Sequence, residues 1–72
     1  MPRPPDPPAF GARLQSIREA AGLSREQLAG AAGMSREAVR LYETGARRPT
    51  MDALFALCEA LGVSADTFRD PS

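Results

Sequence analysis

The sequence predicts an all-α domain of five short helices. Three observations predict it. Hydroxyl residues that can cap a helix (Ser24, Ser35, Thr50, Ser64) alternate along the chain with glycines that can end one (Gly22, Gly33, Gly45, Gly62). Between these marks the apolar residues recur at helical spacing, as in Leu28, Ala29 and Ala32, Val39 and Tyr42, or Leu54, Leu57, Cys58 and Leu61. A chain of 72 residues is also too short for two cores, so every apolar stripe must share one.

Each element follows from these marks. Residues 1–9, MPRPPDPPA, hold five prolines and read as an extended, flexible N-terminal arm with no core of its own, ahead of a domain over residues 10–70. The first helix is expected over about 10–21, ended by Gly22. The second, about 25–32, opens on Ser24, and Gln27 three residues later fits a capping box. Gly33 follows at the position where a left-handed residue is easiest for glycine. Ser35 caps the third helix, about 36–44, stopped by Gly45, with Met34 packed under the turn. Thr50 caps the fourth, about 51–61, and Ser64 the last, about 65–69. Contacts in such a fold are mostly local, which suits a chain that buries only about 60% of its unfolded surface.

Composition excludes several classes. All nine positive charges are arginine, and there is neither lysine nor histidine. The commonest general base and the commonest metal ligand are therefore missing, so no metal, no cofactor and no enzymatic activity are expected. Cys58 falls on the buried stripe of the fourth helix and reads as a small core residue. A single cysteine forms no internal disulfide, which fits the cytoplasm. No apolar run approaches the roughly 20 residues of a membrane span, and no signal peptide is evident.

Net charge is zero, but its distribution is uneven. Residues 1–48 carry eight arginines and five acids, a net of +3, and residues 49–72 carry one arginine and four acids, a net of −3. Glu26, Glu37, Asp52 and Asp66 each lie two residues after a cap, where a carboxylate favours the positive end of a helix. The acids thus have local structural work, and the arginines can face a polyanion.

The run Ser24–Glu43, SREQLAGAAGMSREAVRLYE, joins two short helices through a glycine turn. Ala29 suits a close helix crossing. Arg36, Glu37, Arg40 and Leu41 lie on the face that the core does not need. This is the arrangement by which a small domain sets a helix into the DNA major groove. Through Leu28, Ala29, Gly33, Val39 and Tyr42 the chain resembles the phage-repressor-like helix-turn-helix family of the Cro/XRE type, and its five-helix, lambda-repressor-like frame. The flanks extend the likeness, from Phe10–Leu14 and Ile17–Arg18 to the loop at 43–50 and Leu54, Leu57, Leu61 and Phe68.

The resemblance implies roles for particular residues. Arg36 at the start of the reading helix can pair bidentately with guanine, or be a solvated surface residue. Glu37 can accept from cytosine N4, or serve only the helix dipole. Arg40 reaches a base or a phosphate. Leu41 departs from the polar residue usual there, and either touches a thymine methyl or sits exposed. Arg25 stands where the family often has a phosphate-gripping Gln; Ser35, Arg47 and Arg48 are further phosphate candidates. In the family an Arg at the Arg18 position pairs with the acid at the Glu43 position, which makes both structural, with Ala29 and Gly33. Arg3 could enter a minor groove, though a disordered tail explains it more simply. Phe55 falls off the fourth helix's inward stripe and, with Val63 and Ala65, suggests a homodimer surface, as in many family members. The expected function is a sequence-specific duplex-DNA-binding regulator of transcription, a repressor more readily than an activator. The alternative is a protein-interaction module such as the antitoxin of a toxin pair.

Overall fold

The computed structural model describes residues 10–68, so the proline-rich arm with Arg3, and residues 69–72 at the end of the expected fifth helix, lie outside the described residues. Four α-helices follow in order: α1 (Phe10–Ala20), α2 (Arg25–Ala32), α3 (Arg36–Thr44) and α4 (Met51–Leu61). The expected fifth helix is a single 3-10 turn, Ala65–Phe68. Its bonding is i to i+3, with the Thr67 amide donating to the Ser64 carbonyl at 3.1 Å. Four residues cannot complete an α-helical ladder, and the turn serves to carry Phe68 into the core.

The helix starts are made by local side chains. Ser24, Ser35 and Thr50 have extended backbones, and their hydroxyls accept from the amides of Gln27, Ala38 and Ala53 respectively. At α2 the box is complete, because the Gln27 side chain in turn accepts from the Ser24 amide at 2.8 Å. Gly33 ends α2 at φ 70°, a left-handed conformation that costs a residue with a Cβ more than glycine. The turn then closes through the Gly33 and Met34 amides onto the carbonyls of Gly30 and Ala29.

One core serves all the elements. Leu14, Leu28, Ala29, Val39, Tyr42, Leu57, Cys58 and Phe68 are buried, one or two from each element, with Ile17, Met34, Leu54 and Leu61 half-buried around them. Phe10 and Phe68 bring the two ends of the described chain together, with ring centroids 4.9 Å apart. Among the described glycines, Gly11 is the one packed against another backbone, where α1 meets α3. A Cβ there would overlap the carbonyl oxygens of Tyr42 and Glu43, the second at 2.5 Å. Ala29 is buried too, but the position that admits no side chain at all is Gly11.

Candidate nucleic-acid interface

Two helices define the face of interest. Val39, Tyr42 and Glu43 turn inward from α3, which leaves Arg36, Glu37 and Arg40 exposed on its other side. The N-terminus of α2 lies beside them. Between the two runs a groove of about 450 Å³, lined by Arg18, Ser24, Arg25, Glu26, Arg36 and Arg40. A second hollow of about 360 Å³, lined by Glu26, Ala29, Gly30, Met34 and Arg36, shares two of those residues and continues along the helix-turn-helix. Four arginines and a helix N-terminus around one groove form a setting for anionic oxygens.

Beneath the groove lies a buried ion cluster. The Glu43 carboxylate is fully enclosed. Arg18 reaches it from α1, with Nε donating to Oε2 at 2.6 Å and Nη2 to Oε1 at 3.2 Å. Arg18 also donates from Nη1 to the Leu23 carbonyl at 2.8 Å, which ties the α1–α2 turn to the same point. The bond to Glu43 raises the Arg18 pKa further above its ordinary value, against the opposing effect of burial. Arg25 is the third member: its Nε donates to Glu43 Oε1 at 2.9 Å while a third of its side chain stays exposed. The sequence gives Arg25 only as a phosphate candidate; the structure binds it to α3 as well, while it still lines the groove.

On α3 itself, Arg40 and Glu37 form a two-pronged pair, Nε to Oε1 at 2.8 Å and Nη2 to Oε2 at 2.5 Å. The Arg40 hydrogen bond holds the Glu37 carboxyl below its usual range. The sequence gives them separate parts, a base contact or a dipole role for Glu37 and a base or phosphate contact for Arg40. Their i, i+3 spacing was the signal that joins them.

The remaining candidates fall in three places. Ser35 spends its hydroxyl oxygen on the Ala38 amide but stays exposed, and Leu41 is half-buried rather than outward. Arg47 and Arg48 are exposed beyond α3, where the Arg47 amide donates to the Leu41 carbonyl at 3.2 Å and folds the loop back along the helix end. Among the described residues no ion pair or hydrogen bond engages the side chains of Arg36, Arg47 or Arg48. On α4, Phe55 is 52% exposed, and Met51, one turn before it and not singled out from the sequence, is 62% exposed. Val63 and Ala65 are half-buried against the core, so Met51 and Phe55 are the more open apolar pair.

Fold and face together define a small all-α helix-turn-helix domain of the phage-repressor-like, Cro/XRE class. The family model for a helix-turn-helix domain matches residues 9–70, and the chain belongs to that family. It is 35% identical over 54 residues to the uncharacterised HTH-type transcriptional regulator y4dJ of Sinorhizobium fredii, covering 75% of this chain and 70% of that protein. Among solved structures it resembles the restriction-modification controller protein C.AhdI of Aeromonas hydrophila, at 35% identity and a TM-score of 0.82 over 83% of this chain and 91% of the other. The P22 c2 repressor, solved in complex with a synthetic operator, aligns over the same shares with 27% identity and a TM-score of 0.79. The fold and family are those of DNA-binding regulators. Among the described residues no helix is long and apolar enough to cross a membrane.

Proposed function

We propose that this protein is a sequence-specific duplex-DNA-binding regulator of transcription that acts in the cytoplasm, by repression, as a homodimer, with residues 10–70 as the DNA-binding unit. The observation that carries the reading is the α2–α3 face. Arg36 and Arg40 project from the exposed side of α3, beside the N-terminus of α2 and Arg25, while the acids of the face are limited to Glu26 and Glu37. In this reading α3 enters the major groove. Arg36 and Arg40 meet base edges there, with Leu41 at the rim of the contact. Arg25, Ser35, Arg47 and Arg48 hold phosphates on either side, and the free amides at the start of α2 support them. Phe55, with Met51 beside it and Val63 and Ala65 behind, supplies the dimer contact. The likeness to a controller protein and to a repressor solved on its operator supports this assignment.

Selection of bound duplexes from a random pool tests it. The expected result is one enriched palindromic site. Alanine at Arg36 should relax the preference at one guanine-containing pair and cost roughly 1–3 kcal/mol on that site. A pool that stays random after repeated selection would overturn the reading.

A further inference from the structure

We propose that Glu37 is a positioning residue for base recognition: it braces the Arg40 guanidinium so that its outer fork faces a guanine. The proposal rests on α3 being the reading helix. A guanidinium has five N–H donors. Glu37 engages the inner edge of Arg40 through Nε and Nη2, at 2.8 and 2.5 Å. The donors left over lie on Nη1 and the outer side of Nη2. They form the end-on fork that matches guanine O6 and N7.

Three physical arguments give the brace a purpose. Arginine is long, and docking it on a base freezes several torsions; a side chain already held loses less freedom on binding. A carboxylate facing DNA is repelled by phosphates unless its charge is matched, and Arg40 matches it on the same helix face. The pair is exposed to water in the free protein, with the two side chains 45% and 63% accessible, so it contributes little to stability there. Covering by DNA removes that screening and tightens the pair when it is needed. Arg36, one turn away, has no such brace among the described residues. It should read its base pair independently of Glu37.

The test repeats the random-duplex selection with the parent, Arg40→Ala, Glu37→Ala, Glu37→Gln and the Arg40→Ala/Glu37→Ala double variant, each checked for parental helix content by circular dichroism. The parent should enrich a guanine that Arg40→Ala loses. Glu37→Ala should weaken the preference at that same pair about tenfold, the scale of one bidentate contact, and Glu37→Gln by less. In the double variant Glu37→Ala should change nothing more at that pair. Glu37→Ala should also bind non-specific duplex more tightly, since an acid leaves the interface. A Glu37→Ala site identical to the parent's overturns the brace and leaves the DNA-binding reading standing. So does an Arg40→Ala site identical to the parent's. Loss of preference at a pair that Arg40→Ala leaves intact would make Glu37 a reader in its own right. A parent that enriches nothing overturns the reading of α3, and the brace with it.

Discussion

Glu43 shows how much one side chain decides in a domain of this size. Its carboxylate is fully enclosed and accepts from arginines of two other helices. Alanine at Glu43 would leave the buried guanidinium of Arg18 with only the exposed Glu19 carboxylate, 4.0 Å away, as counter-charge; breaking a buried pair costs about 3–5 kcal/mol in comparable sites. Small domains have total stabilities near the low end of about 5–15 kcal/mol. Denaturant titration should therefore find Glu43→Ala stripped of most of its stability, with a readily measured unfolded fraction at room temperature. Arg25→Ala should remain folded and lose no more than about 1 kcal/mol, because Arg25 is partly exposed and Arg18 still neutralises Glu43. Titration behaviour follows from two other residues. Burial pushes the Cys58 thiol above its ordinary pKa. The folded state then holds a proton that the unfolded chain releases, so stability falls as pH rises beyond the ordinary thiol range. Glu37 has the opposite sign: its carboxyl is held low, so the small contribution of this exposed pair is present at neutral pH and fades as pH falls through its folded value. With no histidine in the chain, stability should be level between about pH 6 and 8. Thermal melts across pH, with Cys58→Ala removing the alkaline loss, check both ends.

At the scale of elements, two glycines inside helices give opposite expectations. Glycine in a helix interior is about 1 kcal/mol less favourable than alanine. Gly30 on α2 has open space around its missing Cβ, so Gly30→Ala should raise stability by about 0.5–1 kcal/mol. Gly11 lies against the Tyr42 and Glu43 carbonyls in the last turn of α3, backbone atoms that give way less readily than the end of a flexible side chain. Gly11→Ala should force α1 and α3 apart. It should lower stability by about 1–3 kcal/mol despite alanine's better propensity. Paired thermal melts of the two variants give the sign directly. A Gly11→Ala protein as stable as its parent would show that the helices cross with more room than this. The same displacement tilts the reading helix, so DNA affinity should fall with stability at Gly11 and stay parental at Gly30.

At the scale of the whole molecule, the two large apolar side chains exposed among the described residues lie on α4, remote in sequence from the arginine face. If Phe55 and Met51 meet their copies across a two-fold axis, the same patch faces itself. The two reading helices would then address half-sites about 34 Å apart on one side of the duplex. Phe55→Glu would set like charges against each other there. Sedimentation should find a folded monomer, with parental helix content and much weaker operator binding. A Phe55→Glu protein that still dimerises would move the interface elsewhere. The arginines beyond α3 belong to this scale too, since the proposed reading has them meet the polyanion as a whole. Arg47→Ala and Arg48→Ala should each weaken all duplexes alike and lower the salt dependence of binding by about one unit. Binding isotherms at several salt concentrations check this.

What could be read from the sequence alone was what short-range physics controls. A cap acts over three residues, so Ser24, Ser35 and Thr50 located helix starts, and α4 runs over the very residues its spacing marks. Val39 and Tyr42 show which side of α3 is buried, and the outward side follows. Even the Glu37–Arg40 pair was within reach, since it closes inside one helical turn. The tertiary structure decided the rest, because it depends on residues that only folding brings together. The Arg18–Glu43 pair was implied by the family resemblance alone, but nothing in the sequence joined Arg25 to Glu43, 18 positions away. Gly11 shows no sign in the sequence of the carbonyls waiting at Tyr42 and Glu43. Met51 opens α4 with a side chain whose apolar character suggests the core, yet the packing leaves it in water. The described part of the last helix takes 3-10 rather than α form because the chain there follows the docking of Phe68 on α1 and α4.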